Sequence, residues 1–163
     1  MHAVDHAVTD HTADMPFDLR DAGLSDMQEL QGVFRRASLS NHHDRDPLLR
    51  HPGWLVLSEN GVREGRMRVA VDQSGAVVGF TTYVIADGVA GLEDLFVDPQ
   101  WMRRGVGKAL VLDISAQVGE LKFDTLEVTA NPHAQVVYEH MGFVAVQMVD
   151  TEFYRALRMR RPT

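Results

Sequence analysis

LEDLFVDPQWMRRGVGKAL, residues 92–110, holds a strand, a glycine-bearing loop and the start of a helix, in that order. Leu92 to Val97 reads as a strand that ends at Asp98-Pro99. The helix that follows carries Ala109, Leu110 and Ile114 and runs to Gly119. Gly105 and Gly107 lie between the two, so several backbone N–H groups and a helix N-terminus can converge on one anion. Arg103, Arg104 and Lys108 add three positive charges, and no acid occurs among residues 100–108. Removing those three from the total of −7 leaves −10 on the rest of the chain. A tight strand-to-helix turn with solvated arginines is the plainer alternative to a phosphate cradle. Two familiar phosphate loops fail here. A Walker A loop needs glycine where Met102 stands and Ser or Thr where Ala109 stands, and a dinucleotide fingerprint needs a third glycine where Leu110 stands.

Outward from this stretch the order is mixed α/β. Met67, Val69 and Val71 alternate with polar neighbours from Arg66. Gln73-Ser74-Gly75 then turns into AVVGFTTYVIA, residues 76–86, a well buried second strand of a hairpin. Leu126 to Val128 is a further short strand. His133 to Met141 suits a helix stopped by Gly142, and Phe143–Val149 and Phe153–Met159 read as closing strands. Toward the N-terminus, Phe17–Leu19 is a short strand. Ser25 to Gln28 is a capping-box pattern ahead of a core-facing stripe of Met27, Leu30, Phe34 and Ala37. Residues 40–53 are rich in breakers and histidine, with Asp46-Pro47 as the start of a second short helix. Residues 1–15 read as a mobile tail, whose His2, His6 and His11 are too irregularly spaced for a metal site, and 16–163 as a single domain.

The 163 residues contain no cysteine, which excludes disulfide frameworks, thiolate metal sites and any enzyme-bound cysteine thioester. A net charge of −7 argues against a duplex nucleic-acid or anionic-membrane partner and allows a cationic small one. No apolar run approaches the ~18 residues of a membrane span, and no leader pattern opens the chain, so the expected location is cytoplasmic.

A second constellation lies at NPHAQVVYEHMGF, residues 131–143. Taken with the glycine loop in this order, the chain resembles the GNAT superfamily of acyl-CoA-dependent N-acyltransferases. The family's loop pattern, Arg/Gln-x-x-Gly-x-Gly/Ala, is matched by residues 102–107 except at Met102. Its later pattern is matched by Asn131, Ala134, Tyr138, Gly142 and Phe143. The resemblance implies a central, mostly antiparallel sheet with flanking helices and a splayed strand pair that holds the cofactor. It implies acetyl-CoA as cosubstrate, bound by Leu95, Phe96 and Val97 through their backbone and by Arg103, Arg104, Gly105, Val106, Gly107 and Lys108 at the pyrophosphate, with Asn131 and Tyr138 nearby. The acceptor it implies is a small or peptide amine that attacks the thioester directly in a ternary complex. A backbone N–H around Leu95 or Phe96 would steady the oxyanion.

In this resemblance Glu93 takes the amine's proton and Tyr138 protonates the departing thiolate. Strand alternation puts Glu93 on the face of Leu95 and Val97, opposite Asp94. Each residue has a plain alternative: a strand-end carboxylate in solvent for Glu93 or Asp94, and a core tyrosine with a satisfied hydroxyl for Tyr138. His133 and His140 read as surface residues, His42 and His43 as candidates for the acceptor side, Trp54 as a core residue or part of the acceptor wall, and Trp101 as a packing residue. No metal is called for. Homodimers occur among relatives, so a second copy is an open partner. A non-catalytic CoA-binding module is the competing function. A nucleic-acid surface at Arg155, Arg158, Arg160 and Arg161 is weaker, because stacking aromatics beyond Tyr154 are missing there.

Overall fold

The computed structural model describes residues 15–152 and 154–163; the histidine-bearing tail through Asp14, and Phe153, lie outside them. Seven strands form one sheet in the order β1-β2-β3-β4-β5-β7-β6. They are β1 Phe17–Asp21, β2 Met67–Asp72, β3 Val77–Ala86, β4 Val89–Val97, β5 Thr125–Ala130, β6 Val144–Asp150 and β7 Arg155–Pro162. Every neighbouring pair is antiparallel except β4 and β5. Among the described residues five α-helices flank the sheet: α1 Met27–Ser40, α2 His42–Arg50, α3 Asn60–Arg63, α4 Val106–Glu120 and α5 Gln135–His140.

The apolar patterns sort these elements into two layers. Leu30 and Val33 of α1 pack with Leu57, Met67, Val69 and Phe80 on one side of the sheet. On the other side Val111, Ile114 and Val118 of α4 pack with Leu126, Leu157 and Met159. β3 contributes to both layers, which explains its unbroken burial from Val77 to Thr82. Among the described residues, no helix is long and apolar enough to cross a membrane.

Local chemistry departs from the expected boundaries in four places. α1 is anchored by Asp26 instead of Ser25: its carboxylate accepts the Gly23 amide at 2.7 Å and both arms of Arg20 at 2.8 and 2.9 Å. That bidentate pair, ahead of the opposing effect of burial, holds the Asp26 carboxyl below its ordinary range. The second helix starts at His42, with the Asn41 side chain accepting the His43 amide, and carries Pro47 within it. β4 starts at Val89, three residues before Leu92, because Asp87 and Gly88 both take positive φ (54° and 74°) and make a two-residue hairpin. The C-terminal strand runs on to Pro162 and lies inside the sheet between β5 and β6. Its arginines are therefore largely engaged: Arg160 pairs with Glu127, Arg161 donates to the Met141 carbonyl at 2.9 Å, and Arg155 lies 3.7 Å from Asp150.

Two irregularities in β4 position the site. Its register with β3 slips by one: Asp94 faces Thr82 while Leu92 faces Tyr83, so Glu93 has no partner and forms a bulge. Its pairing with β5 is confined to Gly91 opposite Glu127. Beyond that point the two strands diverge, leaving one edge of β4 unpaired from Leu92 to Val97.

Candidate active site

The loop leaving β4 is shaped by short-range hydrogen bonds. Asp98 accepts the Gln100 amide at 3.1 Å and is fixed by Arg36 of α1 at 2.8 Å. Arg103 then takes φ 63° and Gly105 takes φ 83°, so two left-handed residues flank Arg104 ahead of α4. Left-handed residues of this kind are used in loops whose amides gather on an anion, and the first-turn amides of α4 have no partners within the helix. Nothing lies within 4 Å of the position a Cβ would take on Gly105, so the cradle is open on that side. Its chemistry suits a polyphosphate.

The cradle opens into a cleft of about 540 Å³ between the free edge of β4 and α5. Leu95, Val97, Arg103, Gly105, Gly107, Lys108 and Tyr138 all line it. A Cβ on Gly107 would come within 3.2 Å of the Met141 methyl and 3.7 Å of Val97, so the flexible Met141 side chain would have to give by a few tenths of an ångström. Four residues expected at the cofactor have side chains engaged elsewhere. Phe96 points to the α1 layer, edge-on to Phe34 at 4.8 Å and 5.5 Å from Phe80. Val106 is fully buried, and Arg104 lies over the Trp101 ring at 5.1 Å. Asn131 caps the turn Pro132–Ala134 by accepting the His133 amide at 3.0 Å. Phe96 and Val106 can contribute backbone only.

Tyr138 packs edge-on against Phe143 at 5.4 Å. Burial first, and nearby Tyr154 second, push its hydroxyl up to about 12. It therefore holds its proton at any physiological pH, as a proton donor must.

The bulge corrects the expected strand faces. Glu93 and Asp94 both line a cavity of about 200 Å³ on the α1 side, with Phe34, Val56, Met67 and Thr82, while Leu95 and Val97 face the cleft on the other side. Inserting one residue reverses the alternation, so Glu93 does not share a face with Leu95. Glu93 is half-exposed and accepts from Arg66 at 3.0 Å; Arg66 also pairs with Glu64 at 2.8 Å and donates to the Tyr83 carbonyl at 2.7 Å. Asp94 has no such cation to itself. Burial, and then the neighbouring Glu93 charge, raise its carboxyl above the ordinary range, against smaller opposing pulls from Thr82 and Arg66. The Thr81 hydroxyl donates to the Asp94 carbonyl at 2.8 Å and fixes the backbone there. The Thr82 hydroxyl is buried without a partner in hydrogen-bond geometry.

A cradle for a polyphosphate, an unpaired strand edge and two carboxylates behind it thus meet along Glu93–Lys108. The model of the GNAT acetyltransferase domain matches residues 57–159, most of the chain. The chain belongs to the GNAT acetyltransferase family. Solved structures share its fold at low identity. The PaiA N-acetyltransferase of Thermoplasma acidophilum, solved with coenzyme A, is 17% identical at a TM-score of 0.69, over 91% of this chain and 100% of that one. A GCN5-related N-acetyltransferase of Rhodopseudomonas palustris is 18% identical at 0.70, over 92% and 97%. A GNAT phosphinothricin acetyltransferase of Sinorhizobium meliloti, solved with AcCoA, is 19% identical at 0.67, over 91% and 89%. None of the curated proteins matches in sequence.

The GNAT match begins at Leu57, so it takes in the cleft, the cradle and both carboxylates but leaves out α1, α2 and Val56. Of the unmatched residues, Phe34 of α1 and Val56 line the α1-side cavity. His140 also lines the cleft, although its place two residues after Tyr138 reads as surface. His43 of α2 stacks on His133 at 5.3 Å, joining α2 to the turn that follows β5. That contact links residues ninety positions apart, and no local pattern announces it. Trp54 is exposed and stacks on His51 at 4.2 Å.

Proposed function

We propose that this GNAT acetyltransferase, with residues 16–163 acting as one unit, moves an acetyl group from acetyl-CoA to the primary amine of an acceptor by direct attack in a ternary complex. One observation carries this reading: the same short stretch of β4 presents Leu95 and Val97 to the cradle-ended cleft and Glu93 and Asp94 to the cavity behind it. The thioester lies along the free β4 edge, pairing by backbone groups as an added strand would. Its pyrophosphate is held by the amides around Gly105 and by Arg103 and Lys108.

The acceptor arrives as an ammonium ion and loses one proton to the Glu93–Asp94 pair, which passes it to solvent. The freed nitrogen lone pair forms the C–N bond while the C–S bond breaks. Tyr138 gives its proton to the departing sulfur and recovers one from the acylated nitrogen, so the products are an amide and CoA thiol. With no cysteine in the chain, no acyl-enzyme through sulfur intervenes.

Isothermal calorimetry with acetyl-CoA tests the first half of the reading. Wild-type protein should bind it and gain thermal stability by mass action, and Gly105→Glu, which places a carboxylate in the open cradle, should abolish both. Absence of binding to the wild type refutes the proposal. Binding without transfer to any amine would instead favour a CoA-binding module.

A further inference from the structure

We infer that Arg36 of α1 is a positioning residue for the phosphate cradle: through Asp98 it fixes the turn that leads into the cradle, and so sets the affinity for the pyrophosphate of acetyl-CoA. The inference rests on the acetyl-CoA reading above and adds to it a residue from outside the matched domain, which begins at Leu57.

The clamp is built from both ends. Asp98 directly follows β4, and its amide donates to the Val78 carbonyl at 2.8 Å. Its carboxylate divides its two oxygens between two tasks. Oδ1 accepts the Gln100 amide at 3.1 Å, and Oδ2 accepts the Arg36 Nε–H at 2.9 Å, with Nη2 at 2.8 Å. The Asp98 carbonyl accepts the Trp101 amide at 2.8 Å and closes the turn Pro99–Trp101. On α1, Gly32 leaves the space that the guanidinium takes one turn further on, since a Cβ there would stand 3.0 Å from Arg36 Nη1. Two hollows of about 430 and 620 Å³ flank the pair, and Arg36, Asp98 and Gln100 line both. The pair is a strut across open space between helix and turn.

From the turn the restraint passes to the cradle. Trp101 packs with Val106 and Leu110 of α4 and lines the cleft. Arg104 lies over its ring at 5.1 Å, and Arg103 and Gly105 take their positive φ on either side of that stacked arginine. A shift of the turn is thus carried to the amides around Gly105. Exposure separates this role from a stabilising one. The Arg36 side chain is 56% exposed and that of Asp98 13%. An ion pair with one partner so open to water adds little to the global fold. A binding loop, by contrast, has to be held within about 0.5 Å of its productive geometry.

The test is isothermal calorimetry with acetyl-CoA on the wild type, Arg36→Met, Asp98→Asn and the double variant. Arg36→Met should weaken binding roughly 5–150-fold, the usual range for coupled groups, while Tm falls by no more than about 4 °C. Asp98→Asn keeps an oxygen for the Gln100 amide but gives up the charge that holds Arg36, so it should weaken binding too. That sign is decisive. If the two residues acted only as charges near a polyanion, removing the carboxylate would strengthen binding. Because the pair acts as one unit, the double variant should lose no more than the larger single loss. Arg36→Lys keeps the charge without the two-pronged grip and should fall between the wild type and Arg36→Met. Affinity of Arg36→Met within about twofold of the wild type overturns the inference, as do tighter binding by Asp98→Asn and additive losses in the double variant. Failure of the wild type to bind acetyl-CoA refutes the underlying reading instead.

Discussion

Gly79→Ala is a test of how tightly α4, and with it the phosphate cradle, is seated on the sheet. Gly79 lies in β3 opposite Val97, under the first turn of α4. A Cβ at this position would stand 3.0 Å from Val106 Cγ1, 3.1 Å from the Phe96 carbonyl oxygen and 3.3 Å from Leu110 Cδ1. Carbon contacts are most favourable at about 3.5–4.0 Å, so α4 must rise by several tenths of an ångström. The Phe96 oxygen belongs to the backbone of β4 and cannot turn aside as a side chain would. Overpacking of this kind costs about 1–3 kcal/mol. For a chain of this length each kcal/mol moves Tm by about 2–4 °C, so a fall of roughly 2–12 °C is expected in differential scanning calorimetry. Because Val106 follows the cradle glycine directly, acetyl-CoA affinity should fall as well. Val106→Ala removes one of the three clashing atoms, so the double variant should lose less than the sum of the two single losses. A Tm within 1 °C of wild type, or strict additivity in the double variant, would refute the close seating of α4 on β3.

Three further outcomes follow from the site. Asp94→Asn should raise Tm near pH 7: the folded carboxyl titrates above its ordinary value, so stability present below the unfolded pKa is lost as pH rises through the folded one, and the amide escapes that loss. The gain should shrink as pH is lowered toward 4, and a gain that grows on acidification would reverse the assignment. Tyr138→Phe should leave the calorimetric affinity for acetyl-CoA within about twofold and lower kcat by roughly 10²–10⁴; the wild-type rate should show no loss from tyrosine ionisation up to pH 10, because that hydroxyl titrates at about 12. Gly61→Ala should push on Thr82 and raise KM for the amine while acetyl-CoA affinity stays unchanged, and equal effects on both substrates would contradict the separation of cleft from cavity.

What the sequence made legible was local. The cradle announces itself through Gly105, Gly107 and a run without acids, and the last helix through Asn131, Tyr138 and Gly142, since each depends on residues a few positions apart. The Asp87-Gly88 turn belongs to the same class: the Asp-Gly dipeptide is a hairpin signal ahead of Leu92, and both residues take the positive φ it implies. The bulge at Glu93 is different in kind. It exists because β3 and β4 agree on one register above Thr82 and another below it, and nothing within residues 92–97 records that slip. Alternation counted along β4 alone therefore assigns the wrong face to Glu93. α2 is legible from Asp46-Pro47 onward instead of from His42 for a related reason: none of its described residues is buried, so it carries no apolar period that marks its first turn.

The bulge also accounts for the coexistence of two opposite electrostatic tasks on one strand. Without it, residues 93, 95 and 97 would share a face, and the carboxylate of Glu93 would project into the cleft that must receive a polyphosphate-bearing ligand. With it, both acids turn to the α1 side, where Arg66 neutralises one and burial perturbs the other, while the phosphate side keeps Arg103, Lys108 and the amides around Gly105. The strand itself separates the charges. The net charge of −7 is thus the sum of a basic loop suited to phosphate and an acidic remainder, the charge that the proposed ammonium acceptor requires.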